Sequence, residues 1–506
     1  MAETKKTEKE NTLLIWWDLL SKWEDVDLFL KRANRHWVIA WATGTGKTVT
    51  LQILAEQFSK AWVPVFASDV KGDLAWIAYE WKDHPKVQER LDHIWIDDWS
   101  PKWFPTIFWD LYWEKGHPIR TTVSEMWPLL LSRLMDLSDT QDALIHMAFK
   151  IADDNGWLIL DLDDLEAVIS YMDENSKELR KDYWNISTSS VWAIRRDILV
   201  LRWSGWDVFF GEPALKLEDI MKRDFSWNWV VSIMDASKLI ADGRLYSTFL
   251  LWLISELFEQ LPEVWDLDKP KLVFFFDEAH LLFRDAPKIL IEKIEQVVRL
   301  IRSKWVWIYF VTQNPTDIPE TVRSQLWNRV QHALRAFTPK DQKAIKVVAD
   351  TFRQNDQFDI KDALTEMSVW VWLVSCLDEK WRPQVVEKTL IRPPESRMWP
   401  LTDAERKEII GRSPFAWMYE TLVDRESADE ILERLEDKVE LEKAELLKQE
   451  QEKIESDKNM PLWQEMLFWT KKKKWFIATV GKSVVRKAGN KIATNIVRGV
   501  LGGILK

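Results

Sequence analysis

Glycine is scarce in this chain. Its 506 residues include 14 glycines, where average usage near 7% leads one to expect about 35. Between Gly243 and Gly411 there is none. Cysteine is nearly absent, and the single Cys376 excludes a disulfide framework and a multi-thiolate zinc or iron–sulfur site. The seven histidines include no close pair at metal-ligand spacing, which argues against a histidine-based zinc site. No uncharged apolar run reaches the roughly 18 residues of a membrane span. The first residues, MAETKKTEKENTLL, lack the apolar core of a signal peptide. A cytoplasmic protein without a membrane partner is therefore expected. A basic excess is missing too: 70 Lys and Arg against 81 Asp and Glu give a net charge of −11. That excludes a uniformly basic nucleic-acid coat and leaves a local groove open.

What fills the composition instead is tryptophan, 34 residues of it, nine of them inside the glycine-free stretch. Trp381 follows Asp378-Glu379-Lys380 and precedes Arg382-Pro383, a turn context in which glycine is usual. An indole poorly tolerates the positive φ that glycine supplies there. The chain reads either as naturally rich in tryptophan or as one whose glycines have largely been exchanged for it. The turn positions favour exchange. With 46% apolar and 30% charged residues, the remainder resembles soluble globular proteins.

From His36 onward, strand and helix signals alternate. Residues 37–40 read as a strand, 49–55 as a helix and 63–67 as a second strand ending at Ser68-Asp69. That order opens a parallel α/β sheet. Strand signals return at 230–233, 272–276 and 308–311, and the runs 333–337 and 369–374 complete the expected sheet. Residues 13–17 read as a short strand or helix. Residues 425–458, dense in Glu, Lys and Leu without Gly or Pro, predict a long solvated helix or coiled coil. The expected divisions are 1–30, a core beginning at 31–119, a mostly helical insertion at 120–229, the rest of the core at 230–410, a charged helical region at 411–470 and a tail at 471–506.

Four strand ends carry the chemistry. Trp41-Ala42-Thr43-Gly44-Thr45-Gly46-Lys47-Thr48 follows a strand and opens a helix. It matches the phosphate-loop pattern G-x-x-x-x-G-K-[ST] at its last three positions and departs from it at Trp41. Thr43, Gly44, Thr45 and Gly46 would present main-chain N–H groups to phosphates, Lys47 would reach the β- and γ-phosphates, and Thr48 would ligate Mg2+. The apolar strand ending in Asp277-Glu278 supplies a second magnesium ligand, Asp277, and a general base, Glu278. Gln313, after 308–312, is placed to sense the γ-phosphate or orient water. Asp69 closes another strand, where it supports either magnesium, a nucleic-acid loop or only its own turn. Arg329 and Arg335 are candidates for an arginine finger supplied to a neighbouring subunit.

These segments together resemble the bacterial HerA-like ATPases of the FtsK–HerA superfamily over roughly residues 10–506. The resemblance implies a RecA-like P-loop NTPase core with a parallel sheet, ATP and Mg2+ as cofactors, and Glu278 and Lys47 in the family's glutamate and lysine roles. It also implies a hexameric ring with DNA translocase or helicase activity, its nuclease partner undefined. At Trp37, Trp41, Trp76, Trp305, Trp307, Trp370, Trp372 and Trp381 the family pattern has glycine. Two other readings stay open: a P-loop ATPase acting on protein or membrane partners, and a nucleotide-binding scaffold weakened by Trp41. If the first loop position requires positive φ, Trp41 costs about 1–2 kcal/mol in strain and about 1–3 kcal/mol in overpacking. Weak ATP binding is then expected.

Residues 471–506 hold ten Lys or Arg and no acidic residue, so the first 470 residues carry −21 of the net −11. Apolar residues recur at helical spacing, predicting a basic amphipathic helix for DNA, an anionic membrane or the acidic body of its own oligomer. For the DNA reading, affinity should fall on the order of a thousandfold between about 50 and 200 mM salt. Deleting 471–506 should remove most of that salt dependence; unchanged DNA affinity in a binding titration would assign the tail to another partner.

Overall fold

The run Leu272–Phe276 is apolar and buried at every position, which requires a strand covered on both faces. It lies within a twelve-stranded sheet in the computed structural model of the chain. The structure describes residues 12–18, 25–30, 35–41, 46–81, 85–94, 96, 99–180, 186–222, 229–241, 243–264, 267–284, 288–334, 338–368, 370–378, 380–423 and 425–458. The strands are β1 (Thr12–Asp18), β2 (Asp25–Phe29), β3 (His36–Ala40), β4 (Val65–Asp69), β5 (Thr106–Asp110), β6 (His117–Pro118), β7 (Val231–Asp235), β8 (Leu272–Phe276), β9 (Val306–Thr312), β10 (Leu326–Gln331), β11 (Val371–Ser375) and β12 (Glu387–Ile391). Their order is β2-β1-β12-β11-β10-β3-β9-β8-β4-β7-β5-β6.

From β10 to β6 every pairing is parallel, and from β10 back to β2 every pairing is antiparallel. This is the expected α/β, RecA-like P-loop core. Residues 13–17 resolve to strand. The strand expected at 333–337 is absent from 333 and 334, and 335–337 lie outside the described residues. The sheet uses Leu326–Gln331 instead, whose polar residues hide it from an apolar-run criterion. Asn328 and Gln331 are nevertheless buried because their amides are paired: Asn328 Nδ2 donates to Arg35 O at 3.2 Å and Gln331 Nε2 to Ala40 O at 3.2 Å.

The chain divides into two compact units, Met1–Thr121 with Gly211–Val423, and Thr122–Phe210 with Asp424–Lys506. The first holds the sheet. The second is helical, built on Asp139–Asn155, Leu162–Glu174 and Thr188–Trp203, with the long helix Ala428–Lys458 packed on Leu162–Glu174. That long helix starts with Ala428 N–H on Leu158 O and Asp429 N–H on the Asp164 carboxylate, both at 2.9 Å. Its residues 441–449 are solvent-exposed, as the charge pattern predicts. The basic tail lies outside the described residues.

Among the described residues, six tryptophans have left-handed backbone: Trp62, Trp113, Trp305, Trp370, Trp381 and Trp417, with φ between 58° and 80°. Trp62 shows the geometry clearly. Past the helix Lys47–Lys60, Trp62 N–H bonds Ser59 O and Val63 N–H bonds Phe58 O, a helix stop normally built on glycine. Gly156 ends its own helix with φ 71°, almost the 69° of Trp62. Gly116 is demanding for a different reason, since a Cβ there would lie 2.5 Å from the main chain of Trp109.

His36, at the start of β3, is buried and fixed in one tautomer. Its Nε2–H donates to Val298 O at 2.6 Å, while Nδ1 accepts from Ile308 N–H at 3.1 Å. Burial lowers its pKa to about 4 from 6.5. The unfolded chain therefore binds the extra proton first, and this histidine's contribution to stability is full above pH 6.5 and lost as pH falls toward 4. Urea unfolding at pH 7 and pH 5 should show that loss, and His36→Asn, which preserves one donor and one acceptor, should reduce it. A left-handed non-glycine residue costs about 1–2 kcal/mol, partly offset by glycine's greater unfolded freedom. Trp62→Gly and Trp417→Gly, at exposed sites, should therefore each raise stability by about 0.5–1 kcal/mol in the same assay.

Candidate nucleotide site

All the parallel strands deliver their carboxyl ends to one edge of the sheet, where ligands of such sheets bind. At the end of β3, Trp41 N–H bonds Thr312 O at 3.3 Å, so the loop leaves beside the end of β9. Thr43, Gly44 and Thr45 lie outside the described residues. Gly46 caps the helix Lys47–Lys60 with φ 100°, and a Cβ would meet nothing within 4 Å, so backbone angle alone demands glycine here. Thr50 N–H to Gly46 O at 3.2 Å is the helix's first bond, which leaves the N–H groups before it free of intrahelical partners.

Lys47 is buried, and its Nζ lies 2.6 Å from both carboxylate oxygens of Asp277, at the end of β8. Thr48 Oγ1 donates to Asp73 Oδ2 at 3.4 Å; burial raises the Asp73 pKa. Glu278 is also buried and holds a left-handed conformation, φ 49°, with its N–H on Asp277 Oδ1 at 2.9 Å. From β9, Gln313 Nε2 donates to both Glu278 oxygens at 3.1 and 3.2 Å. His280 Nδ1 lies 3.5 Å from Glu278 Oε2. The fold thus brings Lys47, Asp277, Glu278 and Gln313 into one connected group with Thr48 at its margin.

Asp69 does not join it. Its oxygens accept from the N–H groups of Lys71, Gly72 and Leu74 at 3.2, 2.9 and 2.8 Å, which makes it the cap of its own turn. Burial raises its pKa to about 6. Arg329 is engaged within its own chain: Nη1 donates to Thr351 O at 2.5 Å, and burial lowers its pKa. Arg335 lies outside the described residues. Sequence reasoning missed Asp73, and also Ser68 and Tyr246, whose hydroxyls meet behind Asp277. A lone Ser and a lone Tyr in apolar segments give no motif signal.

The donors suit a nucleotide with magnesium. Thr48 and Asp277 offer hard oxygens, and no group of three His, Cys, Asp or Glu able to hold a metal exists among the described residues. Magnesium takes few protein ligands when phosphate and water oxygens complete its shell. The sequence profile of the Helicase HerA-like C-terminal family matches residues 20–506. The chain belongs to that family. Among solved structures, this HerA-like chain is similar to the bacterial conjugative coupling protein TrwBdeltaN70, with 14% identity, 75% of this chain and 90% of that one covered, and a TM-score of 0.49. VirB4 of Thermoanaerobacter pseudethanolicus shares 14% identity over 75% of this chain and 96% of that one, TM-score 0.48. Plasmid coupling protein TrwB in complex with ADP and Mg2+ shares 13% over 74% and 88%, TM-score 0.48. No curated protein matches the HerA-like chain by sequence.

Trp41 corrects one expectation. It is absent from the residues with positive φ, so the strain contribution drops out. Its side chain is buried in the core, and Lys47 Nζ sits 4.6 Å from the ring centroid. The indole face and the Asp277 carboxylate thus both hold the lysine that a phosphate would need. Such a cation–π contact stabilises by about 0.5–2 kcal/mol, or roughly two- to thirtyfold in affinity. Trp41→Gly should strengthen ATP binding by about that factor in calorimetry, and equal affinity in both folded proteins would show that the indole does not compete.

Proposed function

We propose that this chain is an ATP-driven motor that binds ATP with magnesium, hydrolyses it, and moves DNA through a ring of six copies. One observation carries the reading: Lys47, Asp277 and Glu278 meet as a buried group at the carboxyl edge of the sheet, and the exposed Gln313 closes onto it through Glu278. In it Lys47 and the N–H groups of residues 43–46 hold the phosphates, and Thr48 with Asp277 holds the magnesium. The metal, when bound, neutralises phosphate charge. Glu278 takes the proton of the attacking water, and Gln313 keeps that carboxylate aimed. Arg329 and Arg335 are the candidates for a finger in trans, and Arg329 serves a neighbour only by leaving the Thr351 carbonyl. Family membership and the basic tail support DNA as the partner. No helix among the described residues is long and apolar enough to cross a membrane, and a cytoplasmic location belongs to this reading.

The test compares ATP hydrolysis with and without DNA. DNA should stimulate turnover, and Glu278→Gln should lower it about a hundredfold or more while ATP binding persists. Hydrolysis insensitive to DNA would redirect the reading to a protein or membrane partner, and hydrolysis unaffected by Glu278→Gln would remove Glu278 as base. Sedimentation with nucleotide should show the ring; a monomer at micromolar concentration would sink the hexamer.

A further inference from the structure

Asp277 lies one residue beyond the last rung between β4 and β8, where Ser68 pairs with Phe276. Its buried main-chain groups therefore need partners outside the ladder. The Asp277 N–H donates to Ser68 Oγ at 3.1 Å, and Tyr246 Oη donates to Asp277 O at 2.5 Å. The two hydroxyls stand 2.8 Å apart. With those outer bonds fixed in direction, the Ser68 hydrogen falls to Tyr246 Oη, its alternative on Phe275 O being 3.4 Å away. Amide, serine, tyrosine and carbonyl thus form one head-to-tail ring around a single residue, an arrangement in which each bond polarises the next. Both side chains are buried, and burial beside Asp277 keeps the tyrosine protonated.

We propose that Ser68 and Tyr246 are positioning residues that set Asp277 and Glu278 for hydrolysis, a role that rests on the motor reading above. The residue after the ring, Glu278, holds a left-handed conformation, which a non-glycine residue keeps only when its surroundings enforce it. The ring grips it from the amino-terminal side, and Leu281 N–H on Glu278 O at 3.0 Å grips it from the other. Loosen the ring and the carboxylate leaves its place against Gln313. Neither hydroxyl touches a reacting atom.

The test uses the full chain carrying Trp41→Gly, with Tyr246→Phe, Ser68→Ala, and both together. Thr248→Val is the control, because Thr248 sits on the same helix as Tyr246 with a buried hydroxyl that has no hydrogen-bond partner among the described residues. Tyr246→Phe and Ser68→Ala should each speed amide exchange across residues 277–282 and lower kcat about tenfold, with KM for ATP little changed. The double variant should be no worse than the worse single one, since both break one ring. Unchanged exchange in Tyr246→Phe, or an equal loss in Thr248→Val, overturns the proposal. Faster exchange in a parent that never hydrolyses ATP leaves the ring standing and overturns the hydrolytic role assigned to it.

An independent set of residues points to the missing glycines. Among the described residues, six of the eight non-glycine residues with positive φ are tryptophan. The buried indole N–H groups of Trp76, Trp109, Trp206, Trp307 and Trp372 have no hydrogen-bond partner among the described residues, whereas a buried indole normally finds one. Scattered mutation would fill glycine positions with many residue types, not one. We infer that tryptophan at 62, 113, 305, 370, 381 and 417 is read from a codon that specifies glycine in the source organism. Sequencing the gene and weighing peptides of the natively produced protein tests this. One shared triplet at these positions, distinct from the ordinary tryptophan triplet, and glycine in the native peptides are expected. Tryptophan in those peptides would overturn it.

Discussion

The contact between Lys47 and Asp277 joins residues 230 positions apart, and the geometry of the candidate site depends on it. A buried lysine or aspartate alone would be strongly destabilising. Each is tolerated because the other lies 2.6 Å away. That proximity exists only because β3, β9 and β8 are adjacent and parallel, so that loop, polar amide and carboxylates leave the sheet at the same edge. The sheet's register is therefore also the register of the site.

Around that pair, side chains from segments far apart in sequence complete hydrogen bonds that the strands cannot. Thr50, on the helix Lys47–Lys60, meets His332 just past β10 at 3.1 Å. Gln313 bridges to Glu278, and Ser68 and Tyr246 close around the main chain of Asp277. Each uses a polar group that burial would otherwise penalise. Order at the site is in this sense a by-product of satisfying the strand ends.

Tryptophan runs through the same architecture under two regimes. In the sheet, Trp37 stacks on Tyr309 with centroids 5.2 Å apart, and Trp307 meets Phe58 edge-on at 6.2 Å, so the ring is accommodated as core. At helix ends and turns, Trp62, Trp305 and Trp381 carry backbone angles that favour glycine. The fold is kept because a left-handed residue costs little beside the burial of a large sheet.

Sequence by itself determined the class of fold and the family. Fully buried parallel strands are rich in apolar residues, so β3, β4, β8 and β9 announced themselves, and Gly46-Lys47-Thr48 after β3 and Asp277-Glu278 after β8 stood out as motifs. The charged helix Ala428–Lys458 was legible from its composition. Tertiary structure decided the rest, because the rest depends on pairing across long separations. β10 was hidden by Asn328 and Gln331, whose burial makes sense only once Arg35 and Ala40 supply their partners. Asp69 and Asp277 both close apolar strands, yet one caps its own turn while the other meets a lysine, a difference set by what lies opposite. Ser68 and Tyr246 have no motif at all, since a hydroxyl becomes informative only when the fold places an unpaired main-chain group within its reach.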